Sequence, residues 1–279
     1  MMEMHRSIGH VTGCEIAGGR RLHCWEAGSG PPLLLIHAFP LNKQMWADVM
    51  IPLARRYRVI APDLRGFGQN TPETSGYRLV DLAVDLHQLL DQQIGSSSVS
   101  LVGVSMGGYI AHEFWEWNPK RVEKLVLSAT KAIGDSAEAR QARLQMAVDL
   151  EEKGVRQVTE PMLERLLGKT TQSQRPQVTD QLRHLIDSNP PSAIRWAQEA
   201  MAERADWWDR LSSITCPTLC LAGEEDRLIP GEVLEQMAER LPRGEYVSLP
   251  STGHLGPIES PEEWSRVVCR FLEGSSSLQ

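Results

Sequence analysis

Ser98-Val99-Ser100-Leu101-Val102-Gly103-Val104-Ser105-Met106-Gly107-Gly108 is the stretch on which the reading of this chain turns. A β-type run enters a Gly-x-Ser-x-Gly, and Tyr109-Ile110-Ala111-His112-Glu113-Phe114-Trp115 leaves it as an amphipathic helical run. A strand that turns sharply into a helix at this pattern is a nucleophile elbow. The residue types follow from the geometry. The serine must sit at a strained backbone angle so that its hydroxyl stands clear, and Gly103 and Gly107 leave room for the turn. The new helix points its first N–H groups at the place where negative charge would develop. A bare match to five residues is weak, so the surrounding chain has to support it.

The flanking sequence alternates in the same way. Val11–Ile16 and Arg21–Glu26 flank Ala17-Gly18-Gly19-Arg20 and predict a hairpin. Leu33–Ile36 predicts a buried strand, Lys43–Arg55 a helix despite Pro52, and Tyr57–Ala61 a further strand. Leu79, Leu82, Ala83, Leu86, Leu89 and Leu90 recur with a helical period. A strand over Lys124–Ser128 follows the elbow helix. Between about Ala129 and Arg210 the pattern changes to charged amphipathic helical runs, with stops at Pro161, Pro176 and Pro190-Pro191. Alternation resumes with strand Pro217–Ala222, helix Gly231–Arg240, strand Glu245–Leu249 and helix Pro261–Leu272. The predicted fold class is α/β, a mostly parallel central sheet with helices on both faces. Residues 1–128 and 211–273 would form its core, 129–210 a helical cap over the strand ends, and 274–279 a flexible tail.

Composition excludes several classes. The 279 residues are 41% hydrophobic and 23% charged, the balance of a folded globular chain. A formal charge of −7 leaves no basic footprint for nucleic acid. No apolar stretch approaches the ~18 residues of a membrane span, and Met1-Met2-Glu3-Met4-His5-Arg6 lacks the apolar core of a signal peptide. Five cysteines are an odd number without metal-type pairing. Cys216 and Cys220, placed on one predicted strand, would lie about 13 Å apart at ~3.3 Å per residue, too far to bond. A Cys14–Cys24 bridge across the hairpin is geometrically open, but reduced core thiols and a cytoplasmic location are the default. Neither a metal site nor a cofactor is expected, and homo-oligomerisation is left open.

A serine hydroxyl is a poor nucleophile near neutral pH and needs a base, which needs an orienting carboxylate. After this elbow the expected order is serine, acid, histidine. Glu224, Glu225 and Asp226 lie in a loop at one strand end, and His254 in a loop just past the strand at 245–249. Both loops belong to the sheet edge that carries the elbow. His254 is the sole histidine after residue 184, which nearly forces the choice of base.

Taken together, Leu34-Leu35-Ile36-His37-Ala38-Phe39-Pro40-Leu41, Met45-Trp46, Tyr57–Gly68, the elbow, Gly223–Asp226 and Gly253-His254-Leu255 resemble the α/β-hydrolase fold superfamily. Within it the chain is most similar to the compact, capped group of 3-oxoadipate enol-lactonases and related carboxylesterases. The resemblance covers about residues 20–128 and 215–272 well and the cap poorly. It implies Ser105 as nucleophile, His254 as base and then acid, and Asp226, three residues after Gly223, as the orienting carboxylate. Glu224 and Glu225 are then expected in solvent. The backbone N–H groups of Met106 and Phe39 would form the oxyanion hole. Where the family has His-Gly before the hole residue, this chain has His37-Ala38, a substitution that would cost on the order of 1 kcal/mol if φ there were positive. Asp63 and Arg65 are expected to brace loops, His37 to support the oxyanion loop, and Tyr109 to pack below the elbow. His37, Trp196, Leu166 and Leu255 are candidate pocket residues.

In the cap, Arg140, Arg143, Arg183, Arg195 and Arg204 are mixed with acids and read first as a solvated face. An arginine turned inward would suit an anionic lactone or ester, whereas Trp196 or Leu166 would suit an apolar group. The implied activity is cleavage of a small carboxylic ester through an acyl-enzyme. Enol-lactone hydrolysis or perhydrolysis are the alternatives, and a non-enzymatic ligand receptor is the competing class. A small-molecule ester or lactone is the expected partner.

Overall fold

Strands buried on both faces need continuous apolar runs rather than alternation. Leu33-Leu34-Leu35-Ile36 and Val99–Val104 have that character, and each is fully buried. The computed structural model describes residues 10–70 and 72–274. Its eight strands are β1 (His10–Ile16), β2 (Arg20–Ala27), β3 (Pro32–Ile36), β4 (Arg58–Pro62), β5 (Val99–Val104), β6 (Val122–Ser128), β7 (Thr218–Gly223) and β8 (Gly244–Leu249). They form one sheet in the order β1-β2-β4-β3-β5-β6-β7-β8. From β4 to β8 all pairings are parallel, and β1 and β2 add an antiparallel hairpin at one edge.

The helices are α1 (Ala47–Ala54), α2 (Leu79–Ile94), α3 (Met106–Trp117), α4 (Ala137–Lys153), α5 (Val155–Leu166), α6 (Lys169–Gln174), α7 (Pro176–Asp187), α8 (Pro191–Ala202), α9 (Gly231–Arg240), α10 (Gly256–Glu259) and α11 (Pro261–Glu273). Helices α4 to α8 all fall between β6 and β7, where sequence periodicity predicts helices and no strand. The chain from β3 goes to β4 on one side, whereas β5 lies on the other. The crevice between β3 and β5 is therefore a topological switch point, the place where open α/β sheets hold ligands.

Two local expectations are corrected. The predicted helix at 43–55 begins as a short 3₁₀ turn over Lys43–Trp46 before α1 forms. Cys216 lies two residues before β7 and does not share its strand with Cys220. All five cysteines are free thiols. Across the hairpin Cys14 stands opposite Leu22 and Cys24 opposite Thr12, so register keeps the two apart. The expectations for residues 1–6 and for the tail after Gly274 lie outside the described residues. No described helix is long and apolar enough to cross a membrane.

Candidate active site

Four loops leave the C-terminal ends of β3, β5, β7 and β8, and they carry Phe39, Ser105, Asp226 and His254. Ser105 occupies the N-cap of α3 with φ 55° and ψ −115°. Three hydrogen bonds fix that conformation: Ser105 N–H donates to Ser128 O (2.9 Å), and Ser105 O accepts from Gly108 N–H (2.9 Å) and Thr130 Oγ1 (2.8 Å). The glycines are required by close approach. A Cβ on Gly107 would stand 2.1 Å from Ile36 O, so α3 could not pack this tightly on the end of β3. The first N–H groups of α3 have no partner within the helix and open toward the bend.

The acid and histidine loops are built against each other. A Cβ on Gly223 would meet Gly253 O at 2.2 Å, backbone against backbone. Glu224 N–H donates to Leu249 O (3.0 Å) and Glu225 N–H to Thr252 O (2.8 Å). This crossing brings His254 Nδ1 to 2.8 Å from Asp226 Oδ2. Asp226 Oδ1 accepts from Leu228 N–H (2.8 Å) and Ile229 N–H (3.0 Å), which fixes the carboxylate plane. A carboxylate only accepts, so Nδ1 carries the hydrogen and Nε2 is left to take a proton. The two side chains are nearly fully buried.

Ser105, His254 and Phe39 line one cavity of about 330 Å³. Leu166, Met162, Leu228 and Ile229 give it an apolar lining. Tyr109, one turn beyond Ser105, also faces the cavity, which corrects its expected place below the elbow. Three other candidates lie elsewhere. His37 is fully buried behind the β3 loop, where Leu64 N–H donates to its Nε2 (3.0 Å) and its Nδ1 pairs with Ala38 O (3.0 Å). Burial lowers its pKa to about 4, so the ring is neutral. Trp196 packs on Gly76 and hydrogen-bonds Glu73 O, away from the cavity. Leu255 points into the core, and its N–H donates to Glu259 Oε1 (2.9 Å).

The Ala38 substitution carries no backbone strain. Among the described residues, the non-glycines with positive φ are Ser105, Ala129 and Ser251. Asp63 braces neighbouring loops as expected, whereas Arg65 reaches helix α2 rather than a loop. Asp63 pairs with the buried Lys43 ammonium and accepts from Lys43 N–H (2.9 Å), and Arg65 forks onto Asp85 (both 2.7 Å).

Glu225 is half-buried and tied down, unlike the exposed Glu224. It accepts from Thr170 N–H (2.8 Å) and Thr170 Oγ1 (2.6 Å) at the start of α6. Glu259, missed by sequence reading, accepts from Leu255 N–H beside the histidine, and also from Gly168 N–H (2.7 Å) and Thr171 Oγ1 (2.9 Å). Burial raises its pKa, against these donors. Two carboxylates thus tie the acid and histidine loops to the segment at 167–171.

The remaining wall comes from the inserted helices and from the end of β6. Ala139, Ala142, Arg143 and Met146 on α4 line the cavity along one face of the helix, which the sequence reading did not single out. Lys131, Asp135 and Arg165 complete the polar side. Arg204, buried and stacked over the Tyr109 ring, forks onto Asp135. Burial pushes the Asp135 carboxyl upward, but hydrogen bonds from Arg204 and Arg143 and their charges hold it well below the usual carboxylate range.

Comparison with known proteins agrees with this architecture. A thermophilic esterase from Thermogutta terrifontis, solved with malate bound, superposes with a TM-score of 0.91 at 34% identity, covering 95% of this chain and 99% of that one. A 2-hydroxy-6-oxo-2,4-heptadienoate hydrolase from Pseudomonas putida is 29% identical over 98% of this chain and 99% of its own. An enol-lactonase from Burkholderia xenovorans has a TM-score of 0.85 at 23% identity, covering 94% and 100%, a likeness of fold alone. Residues 31–261 match the family described by the alpha/beta hydrolase fold, and with an eight-stranded sheet, an elbow and these relatives the chain belongs to that family.

Proposed function

We propose that this protein is a serine hydrolase that cleaves small carboxylic esters through an acyl-enzyme, without a cofactor. The observation that carries the reading is His254, paired with Asp226 at 2.8 Å, lining one cavity with Ser105 at the N-terminus of α3. Ser105 Oγ attacks the ester carbonyl while His254 Nε2 takes its proton. Asp226 holds the imidazole in the required tautomer and stabilises the imidazolium as it forms. The Met106 and Phe39 N–H groups receive the oxyanion. His254 then gives the proton to the leaving alcohol, activates a water against the acyl-enzyme, and returns the proton to Ser105. Residues 129–210 act as a cap that closes the cavity over this chemistry. A volume near 330 Å³ stands at the lower end of the ~300–1,000 Å³ of ligand pockets and favours a short substrate.

The test is hydrolysis of p-nitrophenyl acetate and butyrate by wild type and Ser105→Ala. Loss of at least ~10³-fold in kcat/KM is expected, the scale found when a triad nucleophile is removed. Turnover by Ser105→Ala within a few-fold of wild type would exclude Ser105 as nucleophile. The non-enzymatic receptor alternative predicts no turnover by wild type at all.

A further inference from the structure

The polar side of the cavity carries more positive charge than its one acid requires. Asp135 is the carboxylate lining this side, and three cations pair with it: Lys131 (3.2 Å) and Arg143 (2.6 Å), which also line the cavity, and the buried Arg204 behind them. Three positive groups and one carboxylate leave a formal +2. Arg165 lines the cavity from α5, beside Met162 and Leu166, and has no ion pair among the described residues. The chain as a whole carries −7, so this wall reverses the sign of the protein around it.

A stabilising ion pair would need less. The buried Arg204 fork already engages both Asp135 oxygens, through Nη1 on Oδ2 and Nη2 on Oδ1 (2.5 and 2.7 Å). Lys131 and Arg143 are the more exposed members, with 23% and 22% of their side chains accessible. Arg143 uses Nε on Asp135 and Nη1 on Gln198 (3.0 Å), and Nη2 has no acceptor among the described residues. Lys131 donates one of its three protons, to Asp135. Asp135 therefore orients the two cations without neutralising them, and their spare donors belong to the cavity. The apolar side chains that line the cavity, Met162, Leu166, Leu228 and Ile229, have nothing to offer a charge.

We infer that Lys131 and Arg143 form an anion subsite, and that the substrate is a small ester bearing a free carboxylate, held there while its ester carbonyl lies at Ser105. The inference rests on the serine-hydrolase reading for its chemistry and on the cavity charge for its ligand. The carboxylate belongs either to the acyl part or to the alcohol part, and matched esters distinguish them. Monomethyl succinate is compared with its neutral isostere methyl 4-methylpentanoate, and the acetate ester of lactate with 3-methyl-2-butyl acetate, in a pH-stat.

In at least one pair, kcat/KM is expected to favour the charged member about tenfold or more, equivalent to ~1.4 kcal/mol. Lys131→Met and Arg143→Gln should each collapse that ratio toward one, with folding checked by circular dichroism. Ser105-dependent hydrolysis with no preference for charge in either pair would overturn the subsite and leave the hydrolase reading standing. Calorimetry with succinate separates the opposite case. Binding by wild type and Ser105→Ala, weakened about tenfold or more by Arg143→Gln, retains the subsite even if no ester is turned over. Absence of succinate binding together with absence of charge preference overturns it.

Discussion

Replacing Ser105 by glycine should make the protein inactive and more stable at once. The residue stands at φ 55°, ψ −115°, a conformation that a Cβ resists and glycine adopts freely. Such strain costs of order 1–3 kcal/mol and persists only where the surroundings over-determine it, here through the bonds to Ser128, Thr130 and Gly108. Against its relief stands the larger chain entropy of unfolded glycine, roughly 0.5–1 kcal/mol relative to alanine. The net expectation is about 1 kcal/mol of stabilisation over Ser105→Ala, which keeps the Cβ and removes the same hydroxyl. At about 2.1 cal/mol/K per residue, the unfolding entropy of 279 residues converts this to a rise of about 2 °C in Tm. Differential scanning calorimetry on the two variants, at one scan rate and pH, reads the difference directly. A glycine variant that melts 1 °C or more below the alanine variant would refute the claim that the elbow stores strain.

Other expectations follow from named contacts. Asp226→Asn keeps the acceptor for Leu228 and Ile229 but turns an amide toward His254 Nδ1, so kcat for p-nitrophenyl acetate should fall ~10³–10⁴-fold with little change in Tm. Glu259→Gln presents an amide donor to one of its backbone donors. A cost of about 1.5–3 kcal/mol in urea unfolding is expected, with kcat reduced more than KM is raised, because Leu255 adjoins the base. His112, buried and stacked on Trp207, has its pKa lowered to about 3 by burial and by Arg204 and Arg210. The unfolded chain therefore binds this proton first as pH falls below 6.5, and stability drops with pH between that value and the folded pKa. His112→Phe should remove about 2 kcal/mol of the loss between pH 8 and pH 5, read by urea unfolding at both. An unchanged pH dependence would exclude His112 as a source of it.

Much of the fold was legible because each strand ends at a loop whose residues have a chemical reason to be there. The acid and histidine follow strands β7 and β8 directly, so their place at one sheet edge follows from parallel topology alone. Helix Gly231–Arg240 was read to the residue, since Pro230 and Leu241 bound a clean helical period. The pocket walls were less accessible. His37 and Leu255 adjoin site residues in sequence, but His37 accepts the Leu64 N–H and Leu255 is committed to the core. On the inserted helices periodicity shows a stripe but not what it faces, so Trp196 and the Arg143 side could not be told apart. Glu225 was expected in solvent and Glu259 was missed because an acid that accepts backbone N–H groups looks, in sequence, like any surface acid.

The pair of carboxylate clasps at Thr170 and at Gly168–Thr171 makes access and catalysis one mechanical problem. Swinging that end of the helical layer outward would drag on the loops that hold the imidazole and its carboxylate partner. A rigid outward swing would thus displace His254 and Asp226 in the same stroke that opened the cavity.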